Sequence, residues 1–164
     1  MKKIFTLIAA IMLAATSAMA QFELGGIVGG IYGASAKYWF TDEIALQGDL
    51  GVGLTQAAMQ GGSIGLFDFT INPNALYHFD LPVDNLKFYT GGGVSFGLCA
   101  PLAYASGVMG KFGVNAVAGV SYDLQQYPIT FAFDFRPGYG LAFAQGGTTS
   151  YFDWKLGLAV RYRF

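Results

Sequence analysis

The closing stretch YFDWKLGLAVRYRF (151–164) alternates residue by residue. One parity holds Phe152, Trp154, Leu156, Leu158, Val160, Tyr162 and Phe164. The other holds Asp153, Lys155, Gly157, Ala159, Arg161 and Arg163. Successive side chains of a β-strand point to opposite faces, so this is a strand with one large apolar face and one face of charges and small residues.

The same split recurs upstream. Over 129–143, Ile129, Phe131, Phe133, Phe135, Tyr139, Leu141 and Phe143 oppose Thr130, Ala132, Asp134, Arg136 and Gly138. Over 111–123, Phe112, Val114, Val120 and Tyr122 oppose Lys111, Gly113, Asn115, Ser121 and Asp123. Leu86, Phe88, Val94, Phe96 and Leu98 oppose Lys87, Tyr89, Gly91, Gly93 and Ser95 over 86–98. Around 66–79, Phe67, Phe69, Ile71, Tyr77 and Phe79 oppose Asp68, Thr70, Asn72, Asn74 and His78. Over 44–55, Ile44, Leu46, Leu50, Val52 and Leu54 oppose Gln47, Asp49, Gly51 and Gly53. Two weaker segments, near 22–31 and 34–41, place Glu23 and Lys37 on the polar face. The pattern predicts eight strands. Asp42-Glu43, 80–85 and 125–128 read as short turns on one rim, and 29–33, 56–63, 99–110 and 144–150 as loops on the other.

Composition agrees with a chain meant for lipid. Of 164 residues, 12% are charged, about half the roughly 25% of a soluble globular protein, and 54% are hydrophobic. The 15 Phe, 10 Tyr and 2 Trp exclude intrinsic disorder, and a formal charge of -1 without a basic cluster argues against nucleic acid as a partner. A lone Cys99 and a lone His78 argue against a structural zinc site, and no cofactor is expected.

Residues 1–20 read as a cleaved signal peptide: Lys2-Lys3, an apolar core from Ile4 to Ala15, and Ala18-Met19-Ala20 as the small-x-small cleavage site. That core would span only about 18 Å as a helix, too short for a ~30 Å hydrocarbon layer. Residues 21–164 then form one domain. They hold no apolar run long enough for a transmembrane helix, and only helices and closed barrels satisfy the backbone in lipid. An all-β, eight-stranded antiparallel up-and-down transmembrane barrel is the fold expected.

Which parity meets lipid follows from size and charge. Glu23, Lys37, Asp49, Asp68, Lys87, Lys111, Asp123, Asp134, Arg136, Asp153, Lys155, Arg161 and Arg163 all share the polar parity. That parity is otherwise mostly small, which suits a crowded lumen. The opposite parity is too bulky in Phe, Tyr and Trp to fit inside eight strands. Charges are therefore expected inside as a paired network, and aromatics outside in two interfacial girdles.

The ending from Trp154 to a terminal Phe164, with Tyr162 between, resembles the C-terminal β-signal of bacterial outer-membrane proteins. The stretch from Ala36 to Gly51 is similar to the first periplasmic hairpin of the OmpA/OmpX-type barrels. The resemblance implies a bacterial outer-membrane location after export, outer-membrane lipids as surroundings, and reading of Trp154, Tyr162 and Phe164 by the barrel-assembly machinery. The sequence departs from OmpA proper in having no C-terminal peptidoglycan-binding domain.

Catalysis finds little support. A nucleophile, a base and an orienting acid would have to cluster, yet His78 falls near the turn rim while Ser63, Ser106 and Ser150 fall on the other. Gly91-Gly92-Gly93 precedes no helix, so it is no phosphate loop, and Cys99 reads as a free thiol opening the third loop. Pro73 and Pro137 interrupt strands in a barrel without edges and are expected at bulges or register breaks. The expected role is structural or surface-interacting, through a possible extracellular ligand at 56–63 and 99–110. A narrow porin-like channel is the alternative, and a lipid-modifying enzyme comes third.

Overall fold

A computed structural model describes residues 22–59, 62–102, 107–144 and 147–164. The leader expected at 1–20 lies outside these residues. Eight antiparallel strands, each paired with the next, close into a barrel. They are β1 (Phe22–Gly29), β2 (Ile31–Trp39), β3 (Ile44–Met59), β4 (Gly62–Asp80), β5 (Leu86–Pro101), β6 (Met109–Asp123), β7 (Ile129–Ala144) and β8 (Gly147–Arg163). Following paired positions from Gly29 through Gly157, Asp134, Gly119, Tyr89 and His78 to Glu43, and extending the β2–β3 and β1–β2 registers back to β1, the ring carries a stagger of about ten residues, which tilts the strands by roughly 40°.

Period two survives throughout. Phe133, Phe135, Leu156, Leu158 and Val160 are exposed on the wall, while Asp134, Arg136, Lys155 and Arg161 between them are buried. The large apolar side chains thus form the outer surface, the inverse of a water-soluble barrel.

Four features depart from expectation. The hairpins reach further than their loop-like composition suggested: Met59 still pairs with Gly62 and Ala144 with Gly147, and the first connection is Gly30 alone. Backbone pairing overrides the Gly and Ser signal there, because ladders grow wherever a neighbouring strand continues. Cys99 does not open a loop; it lies buried in β5 opposite Asp68. Neither proline makes a bulge. Pro73 still faces Gly48 and Pro137 faces Trp154, while pairing lapses on the other side, between Ile71 and Asn74 against β5 and between Phe135 and Gly138 against β6. The register resumes unshifted, so the missing N–H is absorbed as a gap in one ladder. Finally, the lumen is not polar throughout. Ile27, Ile31, Leu76, Tyr89, Val117, Ala132 and Ala159 form one internal apolar cluster.

Candidate functional site

The lumen gathers the charges in three groups along its axis. Nearest the turn rim, Arg163 Nη2 lies 2.5 Å from Asp123 and 3.6 Å from Glu23, and it donates to Thr130 Oγ1 at 3.0 Å. Arg161 Nη1 stands 4.0 Å from Glu23, and its Nε donates to Ser35 Oγ at 2.8 Å. The Trp39 indole also donates to Glu23, at 2.8 Å. Strands β1, β2, β6, β7 and β8 all contribute, so the group exists only once the ring is closed.

Lys37 is buried beside this group but is held by neutral partners. Its ammonium lies 5.2 Å from the Trp39 ring centre and 4.8 Å from that of Tyr89, close enough for cation–π attraction. It donates to His78 Nε2 at 3.2 Å, which leaves the imidazole hydrogen on Nδ1, 3.3 Å from the Glu43 carbonyl oxygen. Among the described residues no carboxylate lies within ion-pair distance of Lys37, a departure from uniform ion pairing. Aromatic faces substitute because Trp39 and His78 share the inward parity of Lys37. Lys87 also departs: it sits half-buried at the rim, 3.6 Å from an exposed Asp80.

At mid-height one guanidinium serves two carboxylates. Arg136 Nε and Nη2 donate to Asp134 at 2.6 and 2.8 Å, and Nη1 donates to Asp49 at 2.5 Å. Tyr89 adds a hydrogen bond to Asp134 at 3.0 Å, and Gln47 one to Asp49 at 3.0 Å. Planar, always charged guanidinium suits such a fork.

The third group joins Asp68, Lys111, Lys155, Asp153 and Thr55. Lys111 is paired directly with Asp68, and Lys155 lies 2.8 Å from Asp153 and 3.6 Å from Asp68. Thr55 donates to Asp68 at 2.6 Å. Above it, Leu66, Cys99, Ala142 and Tyr151 pack into an apolar cap with Met109 against them. Glycines make the space: a Cβ on Gly113 or Gly140 would stand 2.5 Å from the Tyr151 hydroxyl.

Sequence reasoning placed the charges on one face but did not single out Trp39, Thr55, Tyr89 or Tyr151 as their partners. Parity was the available signal, since all four share it with a lumen charge. The expected assembly residues lie outside the lumen: Trp154, Tyr162 and Phe164 are exposed on the outer surface. Phe164 nevertheless bonds through its N–H to the Phe22 carbonyl at 2.9 Å, where β8 meets β1. His78, the base considered for catalysis, contacts Lys37, Trp39, Tyr89 and the Glu43 backbone. Among the described residues, the inward side chains thus form three charge groups braced between strands, with the apolar cap above them.

No protein-family model matches the chain, and no curated protein matches its sequence. Solved structures do. The chain is similar to Neisserial surface protein A, at 18% identity and a TM-score of 0.59, over 88% of this chain and 96% of that one. It is also similar to a major outer membrane protein from Thermus thermophilus, at 12% identity and a TM-score of 0.52, over 89% of this chain and all of the other. The fold is the eight-stranded outer-membrane β-barrel.

Proposed function

We propose that this chain is an integral outer-membrane protein with a structural or surface-interacting role and a lumen that does not conduct. The observation that carries this reading is the cap of Leu66, Cys99, Ala142 and Tyr151 over a cross-braced charge network. An ion path needs a continuous opening and weakly held charges; here Arg136 is tied across the lumen to Asp49 on β3, and Lys111 is tied over β5 to Asp68 on β4. Eight strands leave an interior that side chains can fill. Recognition is then assigned to the loop-rim ends of the hairpins expected at 56–63 and 99–110, of which 60–61 and 103–106 lie outside the described residues and Cys99 belongs to the wall, because connections on a rigid wall are free to vary. Outer-membrane lipids surround the wall, and the barrel-assembly machinery reads Trp154, Tyr162 and Phe164 during biogenesis. That the neighbour from Neisseria is named a surface protein supports the same direction.

Single-channel recording of the purified full chain in a planar bilayer tests the reading. Silence across the voltage range is the expected result. Stable, reproducible conductance steps overturn it and favour a narrow porin-like path.

A further inference from the structure

The β1–β2 hairpin is shorter than its neighbours, and its tip ends within the wall. Ile31 faces Gly53 and Gly29 faces Gly157, yet β3 continues to Met59 and β8 has already run down from Gly147. Beyond the tip these two long strands pair with each other, Gln56 with Phe152 and Ala57 with Tyr151. Just below, Thr55 Oγ1 and Asp153 Oδ2 lie 3.3 Å apart, which continues the same alignment. The ring therefore has eight strands toward the turn rim and six toward the loop rim.

The hairpin tip occupies the fork. Gly30 donates its N–H to the Leu156 carbonyl at 2.7 Å. A Cβ on Gly30 would collide with the Lys155 side chain, and one on Gly53 would stand 2.6 Å from the Gly30 carbonyl oxygen. Gly29 takes a φ of +116°, which only glycine adopts cheaply. Nothing larger would fit this wedge.

The β3–β8 alignment remains coherent when carried past the fork. It sets Val52 opposite Leu156 and Leu50 opposite Leu158, all exposed on the outer face, and Gly51 opposite Gly157 on the inner. A slip of one residue would have thrown each apolar side chain against an inward one. We propose that the β1–β2 hairpin is a wedge in a latent β3–β8 ladder. The six long strands meet first at the loop rim, aligned by Gln56–Phe152 and Ala57–Tyr151, and the hairpin enters the fork last. Adjacent strands from β3 to β8 need only short loop closures to pair. An isolated two-stranded hairpin is marginal, so β1–β2 gains its order from the walls it enters.

Cysteine capture during refolding of the full chain into phosphatidylcholine vesicles tests the order, with Cys99→Ala as background. One variant carries Gln56→Cys with Phe152→Cys, across the loop-rim contact. A second carries Gly26→Cys with Val160→Cys, partners in the finished β1–β8 ladder. A third carries Val52→Cys with Leu156→Cys, which face each other only in the latent ladder. In the finished barrel two strands separate that third pair, about 14 Å at ordinary spacing and beyond disulfide reach. Oxidant pulses are expected to trap 56–152 before 26–160, and to trap 52–156 only early, with loss of that product as 26–160 appears. Simultaneous capture of 56–152 and 26–160, or no capture of 52–156 at any time, overturns the proposal. The third pair reads the latent ladder even where the first slows folding.

Discussion

Arg136 and Lys155 are direct partners in the β7–β8 ladder, two cations on the same inner face. Like charges so placed repel. The barrel resolves the conflict by turning them apart. Arg136 reaches toward the turn rim, to Asp134 and across the lumen to Asp49. Lys155 reaches toward the loop rim, to Asp153 and Asp68. This parting separates the middle charge group from the upper one.

The two cations should differ in what their loss exposes. Arg136→Ala leaves Asp49 and Asp134 buried without their shared cation and is expected to cost about 3–5 kcal/mol. Lys155→Ala leaves Asp68 still paired with Lys111 and should cost clearly less. Urea midpoints in lipid vesicles check the ranking, and equal losses would contradict the described division of partners.

The two faces of β8 should differ in how far they tolerate a polar side chain. Leu158 is exposed on the wall, paired with Phe133 and Val28, so Leu158→Arg at mid-bilayer should cost about 2–4 kcal/mol. Ala159 points into the internal apolar cluster, where Ala159→Ser adds only a small hydroxyl and should cost less. Matching denaturation midpoints for the two variants would mean the faces are reversed.

Removal of Phe164 should impair insertion. Its ring lies 5.0 Å from Tyr162 and 6.0 Å from Phe22, and its N–H holds the β8–β1 seam. Aromatic side chains at this level also anchor the membrane interface. The expected readout is less heat-modifiable folded protein in the outer-membrane fraction and more unfolded chain in the periplasm. A normal folded band in the deletion strain would remove the assembly role.

The cap should be sensitive to added volume beneath it. Gly113→Val places side-chain atoms against the Tyr151 hydroxyl and the Tyr139 carbonyl, so overpacking should cost about 1–3 kcal/mol. Gly110→Val in the same strand meets open space and should be nearly neutral in packing. Thermal unfolding of both variants in detergent distinguishes the two sites.

Strand count, face assignment and the burial of charge were legible from alternation, because a period of two leaves each side chain only two directions. The run from Ile129 to Phe143 shows its outer Phe residues and its inner Asp134 and Arg136 without any partner being known. Loop lengths were less legible. Gly and Ser at 62–63 and 147–150 read as loop formers, yet these residues lie in extended strands, since ladder pairing outweighs a local preference. The prolines misled for a related reason: their lost donor was real, but the rest of each ladder held the register across the gap.

Sequence by itself determined which residues face inward, since parity is a property of the local backbone and needs no neighbour. It could not say that Asp49 would meet Arg136, that Lys37 would be held by Trp39, Tyr89 and His78, or that β3 would touch β8. Those contacts join residues far apart in the chain, and they depend on the stagger with which the ring closes. Tertiary structure alone decided them, because closure fixes the height of every inward side chain relative to those on the opposite wall.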